Sequence, residues 1–232
     1  MALYPSEEWL DAFCRALNES NELRDFGFSE NILLVITDLQ LDEITIGDLN
    51  EAALSEVPPK VRDDLADVTL ADAVSLIDGR VRSSLPDAIE RLLDQTERTV
   101  VGDRIYIHIE LEKGECHGLS LVTKPNELDL GSVFQAPAST WQGIVAGRPA
   151  IAAALRGDLE VIGNGFLKLK YLAELQLLSD IATRDVETEF LFEHDSRSLC
   201  AFAVDESLRQ PIAIQKWATR EVALAFRTFT PF

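Results

Sequence analysis

Apolar and polar residues alternate along this chain with helical or strand periods, and each stretch of constant period predicts one element. After Ser6 the positions Trp9, Leu10, Phe13, Ala16 and Leu17 repeat at helical spacing, with Glu7 and Glu8 in the first turn, so a capped helix with one apolar face begins there. Residues 31–37 are a continuous apolar run rich in branched side chains, as in a buried central strand. Over 104–123, Ile105, Ile107 and Ile109 alternate against Tyr106, His108 and Glu110, break at Lys113, Gly114 and Glu115, and return through Cys116 to Val122. That is a β-hairpin. Residues 131–135 resume a strand pattern.

The densest local signals lie between Gln135 and Gly163. Ser139 and Gln142 have the spacing of a capping box, and Trp141, Ile144 and Val145 share one face of the helix it would open, with Gly147 placed to close it. Pro149 suits a first helical position, and the alanine-rich run 151–155 ends at Gly157. Residues 158–162 then alternate as a short strand. In the next helix, 166–182, Phe166, Leu169, Leu172, Ala173, Leu175, Leu178 and Ile181 form an apolar face too broad for one partner, with Lys168, Lys170, Glu174 and Asp180 on the other side. Two apolar neighbours are implied, one of them the sheet.

The stretch 39–104 reads as helical. Asp48 with Glu51 and Thr69 with Asp72 resemble capping pairs, and Pro58 and Pro59 separate a stripe at Leu49, Ala53 and Val57 from one at Leu70, Ala73, Val74 and Ile77. Gly79 ends the second helix, and Ser84 opens a third with Leu85, Ile89, Leu92 and Leu93 on one side. After Glu187 the strand pattern returns at Phe190 and Phe192, over 199–204, at Ile212 and Ile214, and at Val222, Leu224, Phe226 and Thr228.

Ala136, Pro137, Ser139 and Trp141, then Gly147, Ala153 and Gly157, then Leu159, Val161 and Gly163 reproduce a pattern AP-x-S-x-W, G-x5-A-x3-G and L-x-V-x-G before a long helix. In these residues the chain resembles the sterol carrier protein type 2 family. The resemblance extends to Thr188, Glu189 and Phe190 and, more loosely, back to Ile105, with Gly114, Glu115 and Cys116 matching a turn common in the family. It implies an α+β fold, a curved antiparallel sheet covered by helices around an apolar tunnel, which binds lipids or other hydrophobic molecules without transforming them. On that reading 1–232 is a single sterol-carrier-like domain, with 39–104 a helical insertion and 187–232 a C-terminal extension.

A chain of 232 residues that is 47% hydrophobic can bury a substantial core. Its net charge of −19 comes from 40 acidic against 21 basic residues, which repels a phosphate backbone and argues against nucleic-acid binding. An acid-rich, lysine-poor surface points to a halophilic protein. No run reaches the ~18 apolar residues of a membrane span and no basic-then-apolar leader opens the chain, so a soluble, cytoplasmic protein with no integral membrane segment is expected. Cys14, Cys116 and Cys200 are odd in number, far apart in sequence and without metal-ligand spacing, which favours buried, reduced thiols. His117 follows Cys116 directly, and neighbours in a strand point to opposite faces, so the two form no nucleophile and base. His108 and His194 stand in no ligand arrangement, and no nucleophile elbow, phosphate loop or dinucleotide fingerprint is present. No catalytic residue, metal or cofactor is expected.

The sequence thus predicts non-catalytic binding or transfer of a lipid, fatty acyl or sterol-like molecule in a tunnel between the sheet and the 166–182 helix. Expected lining residues are Phe134, Trp141, Ile144, Leu155, Val161, Phe166, Leu169, Leu172 and Leu175, each of which ordinary core packing would also explain. The rival expectation is a protein-interaction or homodimerisation module with the tunnel filled, accessory to lipid or quinone metabolism.

Overall fold

A computed structural model describes residues 2–48, 59–76, 87–163 and 168–190. Helix α1 (Glu7–Glu19) starts as its sequence requires, with Ser6 Oγ accepting a hydrogen bond from the Trp9 N–H at 3.1 Å. Ser20 ends it and caps α2 (Asn21–Phe26) in turn. Strand β2 (Glu30–Thr37) lies at the centre of a five-stranded sheet of order β4-β3-β2-β5-β6, formed with β3 (Ile105–Glu112), β4 (Glu115–Leu121), β5 (Ser132–Pro137) and β6 (Glu160–Ile162). Three of the four pairings are antiparallel. The β2–β5 pair is parallel, because the long connection between them, which includes the hairpin, lets β5 enter beside β2 in the same direction.

Register lines the inner face of the sheet with apolar side chains. Leu121, Ile107, Leu34, Phe134 and Val161 are successive partners across all five strands, and Ile109 pairs with Ile32 and Ile105 with Ile36 in parallel rows. Ile32, Ile107, Ile109 and Phe134 are fully buried there. The hairpin turns at Lys113 and Gly114, as its pattern predicts. Gly114 has a left-handed φ of +79°, and a Cβ on it would lie 2.5 Å from the Leu23 carbonyl oxygen, so only glycine lets the hairpin tip rest on the backbone of α2.

Helix α1 packs on β4 and on α8 (Lys168–Asp185), burying the predicted stripe of Trp9, Leu10, Phe13, Ala16 and Leu17. Between β5 and β6 run α6 (Ala138–Val145) and α7 (Ala150–Arg156), each closed near the glycine expected of it, Gly147 and Gly157. The Ser139–Gln142 capping box is not formed. Helix α6 starts two residues earlier, straight from β5, with Pro137 rather than Ser139 in the capping position and no side-chain cap. The buried Gln176 of α8 anchors α7 by accepting from the Ile151 N–H at 3.1 Å.

The stretch 39–104 contains α3 (Pro59–Leu65), α4 (Leu70–Leu76) and α5 (Asp87–Thr99), with α4 packed on α5 and Leu70, Ala73 and Leu93 buried. Thr69 caps α4 as expected, its Oγ1 accepting from the Asp72 N–H. Asp48 turns back instead, its carboxylate accepting from Thr45 N–H and Oγ1. Its expected partner Glu51, the stripe at Leu49, Ala53 and Val57, the helix boundaries at Gly79 and Ser84, and every expected strand after Phe190 lie outside the described residues. Thr188–Phe190 forms β7, which pairs in parallel with an N-terminal strand that the pattern did not predict, β1 (Ala2–Tyr4), in a separate two-stranded sheet.

Two cysteines remote in sequence are neighbours in the fold. Cys14 Sγ on α1 lies 2.9 Å from Cys116 Sγ on β4; both are free thiols, Cys116 buried as expected and Cys14 only half-buried, and Cys200 lies outside the described residues. The β3–β4 register slips between Glu110 and Leu111, so Cys116 stands opposite Leu111 and is buried while His117 is exposed.

Candidate functional site

The inner face of the sheet and the facing stripe of α8 enclose the candidate site. Tyr171, Glu174, Leu175, Leu178, Ile181 and Ala182 recur at helical spacing and are all buried. From Glu174 to Ser179 every residue of α8 is buried, so the helix is covered well beyond one stripe, as the breadth of its apolar face predicts. Phe134 and Val161 are register partners on the sheet, and Trp141, Ile144 and Leu175 join the same core. Leu172 is half-buried at its edge.

Among the expected lining residues Leu155 faces outward, and Trp141 is tied to the sheet. Leu155 is 79% exposed, because α7 turns Ala152 and Ala153 inward and leaves Leu155 on its outer side. Trp141 is buried, but its indole N–H donates to the Val35 carbonyl oxygen at 3.0 Å, which pins α6 onto β2. Phe166 lies outside the described residues, and of Leu169 only the backbone, within α8, is described.

One end of this apolar layer is polar. Glu30, Ser132 and Gly163 continue the inner-facing positions of β2, β5 and β6 at the same end of the sheet, and the first half of α8 lies over them. A Cβ at Gly131 would collide with the Glu30 side chain, and one at Gly163 would stand 3.2 Å from the Tyr171 ring, so two glycines admit these groups to the corner. Lys170 Nζ lies 3.3 Å from Glu174 Oε1 and 3.8 Å from Glu30 Oε2. Glu174 is only 1% exposed, against the sequence expectation that it sits on the polar side of its helix. Burial, with the Glu30 carboxyl adding and the Lys170 ammonium opposing, pushes its carboxyl up to about 8. Among the described residues the buried Ser132 Oγ has no hydrogen-bond partner, whereas Glu174 and Glu30 share the Lys170 ammonium.

The sequence contains the signal for Glu174, since 171, 174, 175 and 178 are one helical stripe, but its charge overrode its spacing. Ser132 was legible in the same way, two residues before Phe134 in an alternating strand. On the outer face, burial holds the His108 imidazole below its ordinary value, with Glu110 opposing. Among the described residues no group of three or more His, Cys, Asp or Glu side chains is placed to hold a metal, and no helix is long and apolar enough to cross a membrane.

These elements define an α+β protein in which helices pack on an open five-stranded sheet. Among solved structures the chain is similar to a crystal structure of sterol carrier protein 2, with a TM-score of 0.43 and 20% identity over 78% of this chain and 98% of that one. A conserved hypothetical protein from Thermus thermophilus has a TM-score of 0.43 and 19% identity, covering 78% of this chain and 89% of its own. Sterol carrier protein 2 from Yarrowia lipolytica, in its apo form, has a TM-score of 0.33 and 10% identity over 77% and 82%. No family model and no curated protein matches the chain.

Proposed function

We propose that this protein binds a lipid-like molecule between its sheet and α8 and carries it without chemical change. The observation behind this reading is an apolar layer with a polar corner at one end. The row through Leu34, Phe134 and Val161 shares one core with Leu175 and Leu178, and the layer ends at Glu30, Ser132 and Glu174, where Lys170 lies against the two carboxyl groups and the buried Ser132 Oγ has no hydrogen-bond partner among the described residues. A buried polar group left unpaired costs about 1–3 kcal/mol, so a ligand hydroxyl that pairs with Ser132 recovers that penalty. An amphiphile has the matching form. Each buried CH₂ contributes ~0.8 kcal/mol, so an acyl chain of about sixteen carbons gains ample affinity from burial alone. The family resemblance in the 136–163 motif supports the same ligand class.

The alternative, an interaction module with its interior filled, draws support from the complete burial of Phe134 and the commitment of the Trp141 indole N–H to β2. Native mass spectrometry before and after organic extraction, followed by titration of the stripped protein with long-chain alcohols, tests the two readings. A bound mass that leaves on extraction and a saturable response to alcohols are expected. An empty spectrum together with no saturable binding across chain lengths would establish the filled interior instead.

A further inference from the structure

We propose that Cys14 and Cys116 are a redox modification site, a dithiol that peroxide converts to a disulfide tying α1 to β4. The sulfurs already stand 2.9 Å apart, about 0.9 Å more than the bond they would form. Their approach is fixed from both sides. Asn18, one helical turn beyond Cys14, donates through Nδ2 to the Cys116 carbonyl oxygen at 3.0 Å and accepts from the Cys116 N–H at 2.7 Å. The helix that carries one thiol therefore holds the backbone of the other. The register slip beside Leu111 then turns the Cys116 side chain inward to meet it.

Exposure assigns the two roles. Cys14 is half-buried and reachable, whereas Cys116 is 6% exposed, and burial together with the neighbouring Cys14 sulfur raises its thiol. Cys14 reacts first. Its thiolate attacks one oxygen of hydrogen peroxide, the O–O bond breaks, and the departing hydroxide takes a proton to become water, leaving a sulfenic acid on Cys14. The Cys116 sulfur then attacks the Cys14 sulfur; the S–O bond breaks, and the hydroxyl leaves as a second water with the Cys116 proton. Two thiols and one peroxide become one disulfide and two waters, the two sulfurs losing two electrons to the peroxide oxygens. A small dithiol reverses the reaction by exchange.

The bond would join residues 102 positions apart, so it removes many conformations from the unfolded chain. Because α1 also packs on α8, the cross-link braces two sides of the core.

The test is graded peroxide treatment of the full-length protein, followed by alkylation and peptide mass mapping. The expected product is one pair of linked peptides containing Cys14 and Cys116, lighter by two hydrogens, with a melting temperature several degrees higher that returns to its starting value with dithiothreitol. Little sulfenic acid should be trapped by dimedone in the wild type, and much more on Cys14 in Cys116→Ala, which lacks the resolving thiol. Accumulation of sulfinic acid on Cys14 in the wild type, a bond from either thiol to Cys200, or no reaction at Cys14 would each overturn the proposal. The wild-type peptide map decides the matter even if Cys116→Ala fails to fold.

Discussion

Lys170 stands between the carboxyl groups of Glu30 and Glu174, with its ammonium 3.3 Å from Glu174 Oε1 and 3.8 Å from Glu30 Oε2. One half-exposed cation cannot neutralise two carboxylates, so the more deeply buried one retains its proton. Burial first, and then Glu30, raise Glu174 to about 8 from an ordinary value of 4.5. A raised carboxyl binds its proton more tightly in the folded state than in the unfolded. Its contribution to stability is therefore complete below pH 4.5 and is lost as pH rises through about 8. Glu174→Gln preserves the neutral shape and removes the titration. The variant should gain stability relative to the wild type across that window, the gap levelling above pH 8. Denaturant unfolding at a series of pH values measures the gap, and two parallel curves would mean that Glu174 carries no buried proton.

Leu175 and Leu172 differ in what surrounds them. Leu175 is 2% exposed within the core, so Leu175→Ala should destabilise the protein by about 2–5 kcal/mol through lost transfer energy and a residual cavity. Leu172 is half-buried, and Leu172→Ala should lose less than about 2 kcal/mol by the same reasoning, while shifting the chain-length preference of a bound alcohol. Unfolding and titration of the same two variants check both statements. Equal stability losses with unchanged chain-length preference would place Leu172 in the core proper and away from the ligand.

Where one period governs a segment, the sequence determines the element almost to the residue. Ser6 and the Trp9 to Leu17 stripe produce α1, Ile105, Ile107 and Ile109 produce the inner face of β3, and Gly157 ends α7. Long-range geometry is less legible. Nothing local tells Cys14 that β4 will bring Cys116 against it, because a β-bulge and a helix packing decide that meeting. Leu155 continues an apolar run yet faces outward, since a helix of seven residues has room to bury only its alanine side. Glu174 shows the converse. Its charge suggests solvent, and only its place in the 171, 174, 175, 178 stripe shows that the helix turns it into the core.

The net charge of −19 predicts a dependence on salt. Like charges on one chain repel over distances set by the Debye length, which falls from about 10 Å at 0.1 M to about 3 Å at 1 M. The melting temperature should therefore climb as monovalent salt is raised into the molar range. A thermal series in sodium or potassium chloride measures it, and a flat or falling curve would remove the proposal that this surface is adapted to high salt.

Trp141 separates structural support from ligand lining. Its indole N–H reaches the Val35 carbonyl oxygen at 3.0 Å, inside the protein, and the ring is 2% exposed. Trp141→Phe retains an aromatic ring but removes the donor. The Val35 carbonyl then loses a buried partner at a cost of about 1–3 kcal/mol, to which the smaller ring adds a packing loss. Because the indole is committed to β2, affinity for a long-chain alcohol should stay unchanged within error while unfolding shifts to lower denaturant. Calorimetric titration and denaturant unfolding of the same preparation read the two quantities separately. A variant of normal stability with weakened alcohol binding would return Trp141 to the wall of the site, and the hydrogen bond to Val35 would then be incidental to its role.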